Sequence, residues 1–425
     1  MDEKRKSLSI KKIILFLIGA VSCSNILSAF VIGSTPIMLA NVLAIPLLII
    51  CVYQHKWRLV NIVHCLTKDL IYLGVFIFLS IIQVLLFNPG NIYQWGVGVI
   101  SFLLQFFLIM SIIESKEVIN ALYWGVFIGI IANFLISLYA MILYNNGVIF
   151  DLAKYFHNDI RIGSMYLSNA YRVRGFFGEQ GHLMRFLAIM AIPIAQFLEK
   201  KRKTLYIFYI AAIAFMMAFT GSSSVVIFML GFIVYIIIIN GKNATKLILL
   251  MVGGTFLVIV LLYLGRNISF ISKLLTAFNF GFSSIFDTTG INSGRVQGMR
   301  YALEIIKDYP VTGCGWNNLT KVFMKYGFYG VNNVMGSYSA ALSLIAELGL
   351  ASLFYFYFMI DKGIRLIKNR LNKTYVGYGI SLFIYFVLFC LTDYTIDAGS
   401  AMFIAIILLK YTEWKDAIVE KSEIN

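Results

Sequence analysis

Twelve uninterrupted apolar segments, each near the roughly 20 residues a helix needs to cross hydrocarbon, constrain this chain more than any other feature. They run approximately over 13–32, 36–53, 70–87, 95–113, 118–144, 183–198, 205–219, 225–239, 247–264, 340–360, 375–391 and 398–411. The runs are continuous rather than alternating, so they read as helices and not as barrel strands. Hydrocarbon admits only helices or closed barrels as spanning structures, because no water is there to satisfy backbone groups. A soluble fold is excluded by the same runs: 60% of residues are apolar and only 13% are charged. A soluble domain cannot carry that much apolar surface. The stretch 205–239 is too long for one span and is basic at both ends, so it is expected to be a tight hairpin turning near 220–224. The first run follows the basic start MDEKRKSLSIKK without a small-residue cleavage site. It is expected to be an uncleaved first span.

Charge fixes the orientation. With the N-terminus placed in the cytoplasm, 23 of the 35 Lys and Arg fall on the inner side. The four short outer connections, GSTP, NPGNIYQ, TGSSS and DYTID, carry none. This is the cytoplasmic excess of cations that orients membrane proteins, and it places both termini inside. The same asymmetry accounts for the net charge of +15, and no aromatic-basic motif points to nucleic acid. The five cysteines form no CxxC or Cys/His cluster, so neither a metal site nor a disulfide framework is expected. The chain is therefore expected to be an all-α polytopic membrane protein of about 12 transmembrane helices. It forms a single integral domain over 1–425, with two long outer loops, 145–182 and 265–339. Short amphipathic helices are expected in the second loop, in ISFISKLLTAFNF and GRVQGMRYALEIIKDY.

Connections that long are usually functional, and both carry arginine against the orientation bias. The first holds Arg161, Arg172 and Arg174, with Arg185 just beyond; the second holds Arg266, Arg295 and Arg300. The planar guanidinium fork suits phosphate. The tightest constellation is RVRGFFGEQGHLMRF at 172–186, which brings Glu179 and His182 close to two arginines. In a helix, residues three apart share a face, and a carboxylate beside an imidazole suits acid–base work. The second constellation, SGRVQGMRYALEIIKDYPVTGCGW at 293–316, ends in a GxG turn near Pro310. No DxD, HExxH or Walker sequence is present, and charges inside the spans are nearly absent. Ion-coupled transporters usually need such charges.

These motifs together resemble the O-antigen polymerase and O-antigen ligase superfamily of bacterial envelopes. The resemblance lies in R-x-R-G-F-F-x-E-x-x-H at 172–182 and T-G-S at 220–222. It continues in S-G-R…A-L-x-I-I-x-x-x-P-x-x-G-x-G at 293–315 and A-E-L-G-L at 346–350. It implies metal-independent glycosyl transfer on the outer face of the bacterial plasma membrane, without a cofactor. The donor it implies is a growing glycan on undecaprenyl pyrophosphate, and the acceptor another lipid-linked repeat unit or a finished lipid core. Membrane lipids are implied partners, with flippase and chain-length regulator proteins as further candidates. Carried over, Arg172, Arg174, Arg295 and Arg300 would hold the pyrophosphate, and Glu179 or His182 would activate the attacking hydroxyl. Asp287, Asp393 and Asp397 remain alternatives for that base.

The chain departs from the family pattern at three places. Ligases carry a His-Asn pair nine residues before the glutamate of E-x-G, where Tyr338 and Ser339 stand here. The missing histidine favours a repeat-unit polymerase over a ligase. Gln180 stands for the proline of E-P-S-H, and Ser223 for the arginine that often follows T-G-S. A lipid-linked oligosaccharide flippase, the reading from another class, would line its spans with polar groups and have short loops. A polar cavity open outward, between the two long loops, is expected.

Overall fold

A computed structural model describes residues 2–32, 35–55, 67–87, 89–112, 116–148, 150, 173–220, 222, 224–240, 291–316, 318–327, 337, 339–370, 372–391 and 398–424. The described residues are 85% helical, and the apolar runs among them are helices rather than barrel strands. Helix α1 (Asp2–Val21) is followed by a hairpin of β1 (Ser28–Ile32) and β2 (Thr35–Met38). Then come α2 (Leu39–His55), α3 (Thr67–Phe87), α4 (Ile92–Ile112), α5 (Lys116–Asn145), α6 (Gln180–Lys201), α7 (Lys203–Thr220) and α8 (Ser224–Asn240). The rest is α9 (Ile291–Asp308), α10 (Leu319–Lys325), α11 (Ala340–Leu348), α12 (Ser352–Lys368), α13 (Lys373–Leu391) and α14 (Ala398–Ile424).

Among the described residues, five stretches are long and apolar enough to cross a membrane: Val118–Asn145, Gln180–Lys201, Lys203–Thr220, Ala340–Lys368 and Lys373–Leu391. Shorter apolar stretches lie in α2, α3, α4 and α8. The expected hairpin is present, since α7 ends at Thr220 and α8 begins at Ser224. The expected span at 247–264, most of the first long loop and about half of the second, including the first amphipathic stretch, lie outside the described residues. Of the two expected amphipathic helices, α9 covers the second. It buries Ala302 and Ile305 and exposes Arg300 and Leu303.

The start of the chain departs from the sequence reading. The first apolar run was expected to be helical to residue 32, yet α1 stops at Val21. Ser24 causes the stop: its Oγ accepts the N–H groups of Ile26 and Leu27, both at 3.1 Å. Such side-chain bonds compete with the helix. The β-branched run beyond pairs antiparallel with Thr35–Met38. Hydropathy does not register this, because SAFVI is as apolar in a strand as in a helix.

Small residues decide how α5 meets α1. Gly125 and Gly129, four apart, lie against Phe16 and Ala20 of α1 and Cys23 just beyond it, and a Cβ on either would run into α1 backbone. Lipid supplies no hydrophobic drive between helices, so close approach through small residues is what binds them. Gly19 returns the fit from the other side, facing Leu122 and Val126. One turn past Gly129, buried Asn133 is the polar residue that this packing carries inward. On the opposite side α6 is buried nearly all round and packs against α13. Gln196 donates to Lys373 O at 2.7 Å there, and Gly377 leaves room for its amide.

Candidate active site

The segment 173–179 has no regular structure, so its backbone groups need partners from elsewhere. Three elements supply them. Asn133 Oδ1 on α5 accepts Phe176 N at 2.8 Å, while Asn133 Nδ2 donates to Cys23 O and Gly129 O, both at 2.8 Å. After α1, Ser24 Oγ donates to Phe176 O at 2.8 Å, and Asn25 Oδ1 accepts Gly178 N at 2.8 Å. From the end of α7, Phe219 O accepts Val173 N at 3.0 Å and Thr220 Oγ1 donates to Gln180 O at 3.2 Å. Gly175 sits at φ +57° directly over Asn133, where a side chain is strained and has no room. The R-x-R-G-F-F-x-E-x-x-H motif is thus bonded, through Gln180, to the threonine of T-G-S.

This cradle fixes the candidate residues. Glu179 is the N-cap of α6, with φ −134° and ψ 148°, and its carboxylate does not cap the helix. His182 lies one turn on, its N–H bonded to Glu179 O at 3.1 Å. The sequence placed both residues within one helix; Glu179 instead has extended backbone just before α6, and His182 lies in the first turn. Nδ1 of His182 lies 2.5 Å from Nδ2 of Asn25. Arg174 is buried and donates to Gly178 O at 3.2 Å, and Arg185 donates to Gly181 O at 3.1 Å. Arg172 lies outside the described residues, as do Asp287, Asp393 and Asp397.

The second motif pair is joined just as directly. Cys314 N bonds Ala346 O at 2.8 Å, Gly315 N bonds Glu347 O at 2.9 Å, and Leu350 N bonds Val311 O at 3.1 Å. Gly313 (φ +67°) and Gly349 (φ +56°) lie where this backbone contact leaves no space for a Cβ. The glycines of P-x-x-G-x-G and of A-E-L-G-L are therefore two halves of one backbone joint. Gln83 on α3 also donates to Thr312 O. Burial, with the Glu347 carboxylate nearby, pushes the Cys314 thiol up to about 12. Arg300 stands apart from the cradle, on α9, which packs on α10 and α11. It is exposed and paired with Glu304 at 3.4 Å. Arg295 belongs to the same helix, and its side chain is outside the described residues.

Beside this joint lies a cavity of about 260 Å³ between α3, α4 and α11–α13. Phe76, Phe102, Trp316, Tyr355 and Phe389 line it, with Ser343 and Glu347 as polar groups. It is mainly apolar and has the charge of a carboxylate, unlike the polar cavity between loops expected from sequence. No group of His, Cys, Asp and Glu able to hold a metal is found among the described residues.

Sequence reading missed Asn25, Asn133, Thr220 as a loop anchor, and Glu347 as a cavity wall. Polar SCSN at 22–25 and a lone asparagine in GIIANFLI were the available signals.

Residues 207–357 match the family described as O-antigen ligase. The match runs from α7 into α12 and takes in T-G-S, the P-x-x-G-x-G turn and A-E-L-G-L. It supports a likeness to the O-antigen polymerase and ligase superfamily over this part of the chain. No curated protein and no solved structure matches the chain.

Proposed function

We propose that the chain is a repeat-unit polymerase, building surface polysaccharide on the outer face of the bacterial plasma membrane from undecaprenyl-pyrophosphate-linked oligosaccharides. The observation that carries this reading is the hydrogen-bonded cradle around 173–179, which ends in Glu179 as the N-cap of α6 with His182 in the first turn. In this reading the chain spans the membrane about twelve times, both termini are cytoplasmic, and 145–182 and 265–339 are its outer loops. A hydroxyl oxygen of the acceptor's terminal sugar forms a bond to the anomeric carbon of the donor glycan. The bond from that carbon to the pyrophosphate oxygen breaks, and its electron pair stays on the pyrophosphate. The hydroxyl proton passes to the Glu179–His182 pair, and no metal takes part. Arg172, Arg174 and Arg295 stabilise the departing charge, where fixed cations contribute most in a site shielded from water, while exposed Arg300 on α9 would meet the pyrophosphate as it approaches. The apolar cavity below Trp316 suits the isoprenoid tail of a lipid carrier.

A ligase is the second reading, and Ser339 weighs against it. This position, where ligases carry the asparagine of His-Asn, serves here as the N-cap of α11. Its Oγ accepts Leu342 N at 3.2 Å and donates to Cys390 O.

Deleting the gene and resolving the surface glycan on a gel separates the readings. A polymerase deletion leaves single repeat units and no ladder, and complementation with Glu179→Gln or Arg172→Ala fails to restore it. Long chains that stay on the lipid carrier would establish the ligase instead. An unchanged glycan would reject both.

A further inference from the structure

The amide of Asn25 is oriented by its own partners. Gly178 N is a donor only, so the amide atom that meets it at 2.8 Å is the carbonyl Oδ1. The other amide atom, Nδ2, therefore faces His182 Nδ1 at 2.5 Å. An amide –NH₂ donates and does not accept. Nδ1 must consequently be the acceptor and carry no proton. A neutral imidazole with a bare Nδ1 has its proton on Nε2, and an imidazolium is incompatible with the same contact.

We propose that Asn25 is a positioning residue that holds His182 as the neutral Nε2–H tautomer. This rests on the polymerase reading for its chemical consequence, though not for the tautomer itself. With its free nitrogen protonated, His182 cannot take a proton at Nε2. It donates a hydrogen bond instead, to the pyrophosphate oxygen that keeps the electron pair of the broken bond. Glu179 is then the base that receives the hydroxyl proton. The two residues divide the work of one step: the proton ends on the Glu179 carboxylate, and the developing oxyanion meets Nε2–H. Asn25 is well placed for this task, since one side chain reads both the loop backbone at Gly178 and the ring on α6. The second function of the bond to Gly178 is to keep the amide from turning over, which would present Oδ1 to the ring and reverse the tautomer.

Solid-state ¹⁵N NMR of histidine-labelled, full-length protein in lipid bilayers reads the tautomer directly. The His182 signals are identified as those lost in His182→Gln. The expected result is an unprotonated Nδ1 and a protonated Nε2 in the wild type. A protonated Nδ1 overturns the proposal. Asn25→Asp supplies the second reading. Its carboxylate still accepts Gly178 N–H, so the loop keeps its anchor, but it now offers an acceptor to the ring. Nδ1 should become protonated, and polymerisation should fall about a hundredfold, the size of effect seen when an oxyanion donor is removed. A folded Asn25→Asp protein that polymerises at the wild-type rate would show Asn25 to be an anchor only. If the wild type makes no polymer, the enzyme reading fails while the tautomer result still stands. If it polymerises with a protonated Nδ1, only the proposal for Asn25 fails.

Discussion

Asn133 holds Phe176 by its backbone: its Oδ1 accepts Phe176 N at 2.8 Å while its Nδ2 ties down Cys23 O and Gly129 O. One buried amide thus joins α1, α5 and the loop that carries Glu179. Asn133→Ala leaves Phe176 N–H and both carbonyls without this partner. Each buried group stranded in this way costs on the order of 1–3 kcal/mol. The expected outcome is a lower melting temperature in detergent together with loss of polymer, read from a thermal scan and a glycan gel.

The contact between Gly125 and Phe16 O sets the α1–α5 distance. Gly125→Ala forces the helices apart, and the Asn133 and Asn25 anchors move with them. It is expected to destabilise by about 1–3 kcal/mol, the usual cost of overpacking. Gly74→Ala is the matched control, because a Cβ there meets nothing within 4 Å. In a helix that exchange is expected to be neutral or to stabilise by up to about 1 kcal/mol. Melting curves of the two variants check the difference.

Burial and the Glu347 carboxylate raise the Cys314 thiol to about 12, so the group stays protonated through neutral and mildly alkaline pH. Thiolate is the reactive form. At pH 8 Cys314 should therefore react with a maleimide roughly a thousandfold more slowly than an ordinary exposed cysteine. Thr320→Cys, on the exposed face of α10, provides the comparison. Equal rates would show that the joint between 311–315 and 346–350 opens.

Gly98 borders the apolar cavity, and a Cβ there would meet nothing within 4 Å. Gly98→Leu should fill the space without strain. If the cavity takes the lipid tail, polymerisation falls while the melting temperature holds or rises. Unchanged polymer formation would remove the cavity from the reaction.

The helices were legible because each buries or presents a long apolar run, and hydropathy reports that directly. The break at Thr220–Ser224 was legible for the same reason, from length and flanking charge. The hairpin after α1 was not. Ser24 turns the chain through its bonds to Ile26 and Leu27 N–H, and Ser24 and Asn25 then bond residues 176 and 178, which hydropathy cannot register. Glu179 and His182 stood out because four titratable groups fall within a few residues. Asn25 and Asn133 did not, since their roles exist only when α1, α5 and the loop meet. The paired glycines of 313–315 and 349 were visible separately, and their joint was not, because it is a contact between backbones.

The most direct test is polymerisation by the purified chain in proteoliposomes supplied with an undecaprenyl-pyrophosphate-linked repeat unit and nothing else. The account predicts a ladder of products from the wild type, and none from Glu179→Gln at equal protein with an unchanged melting temperature. A ladder of wild-type length from Glu179→Gln would contradict it.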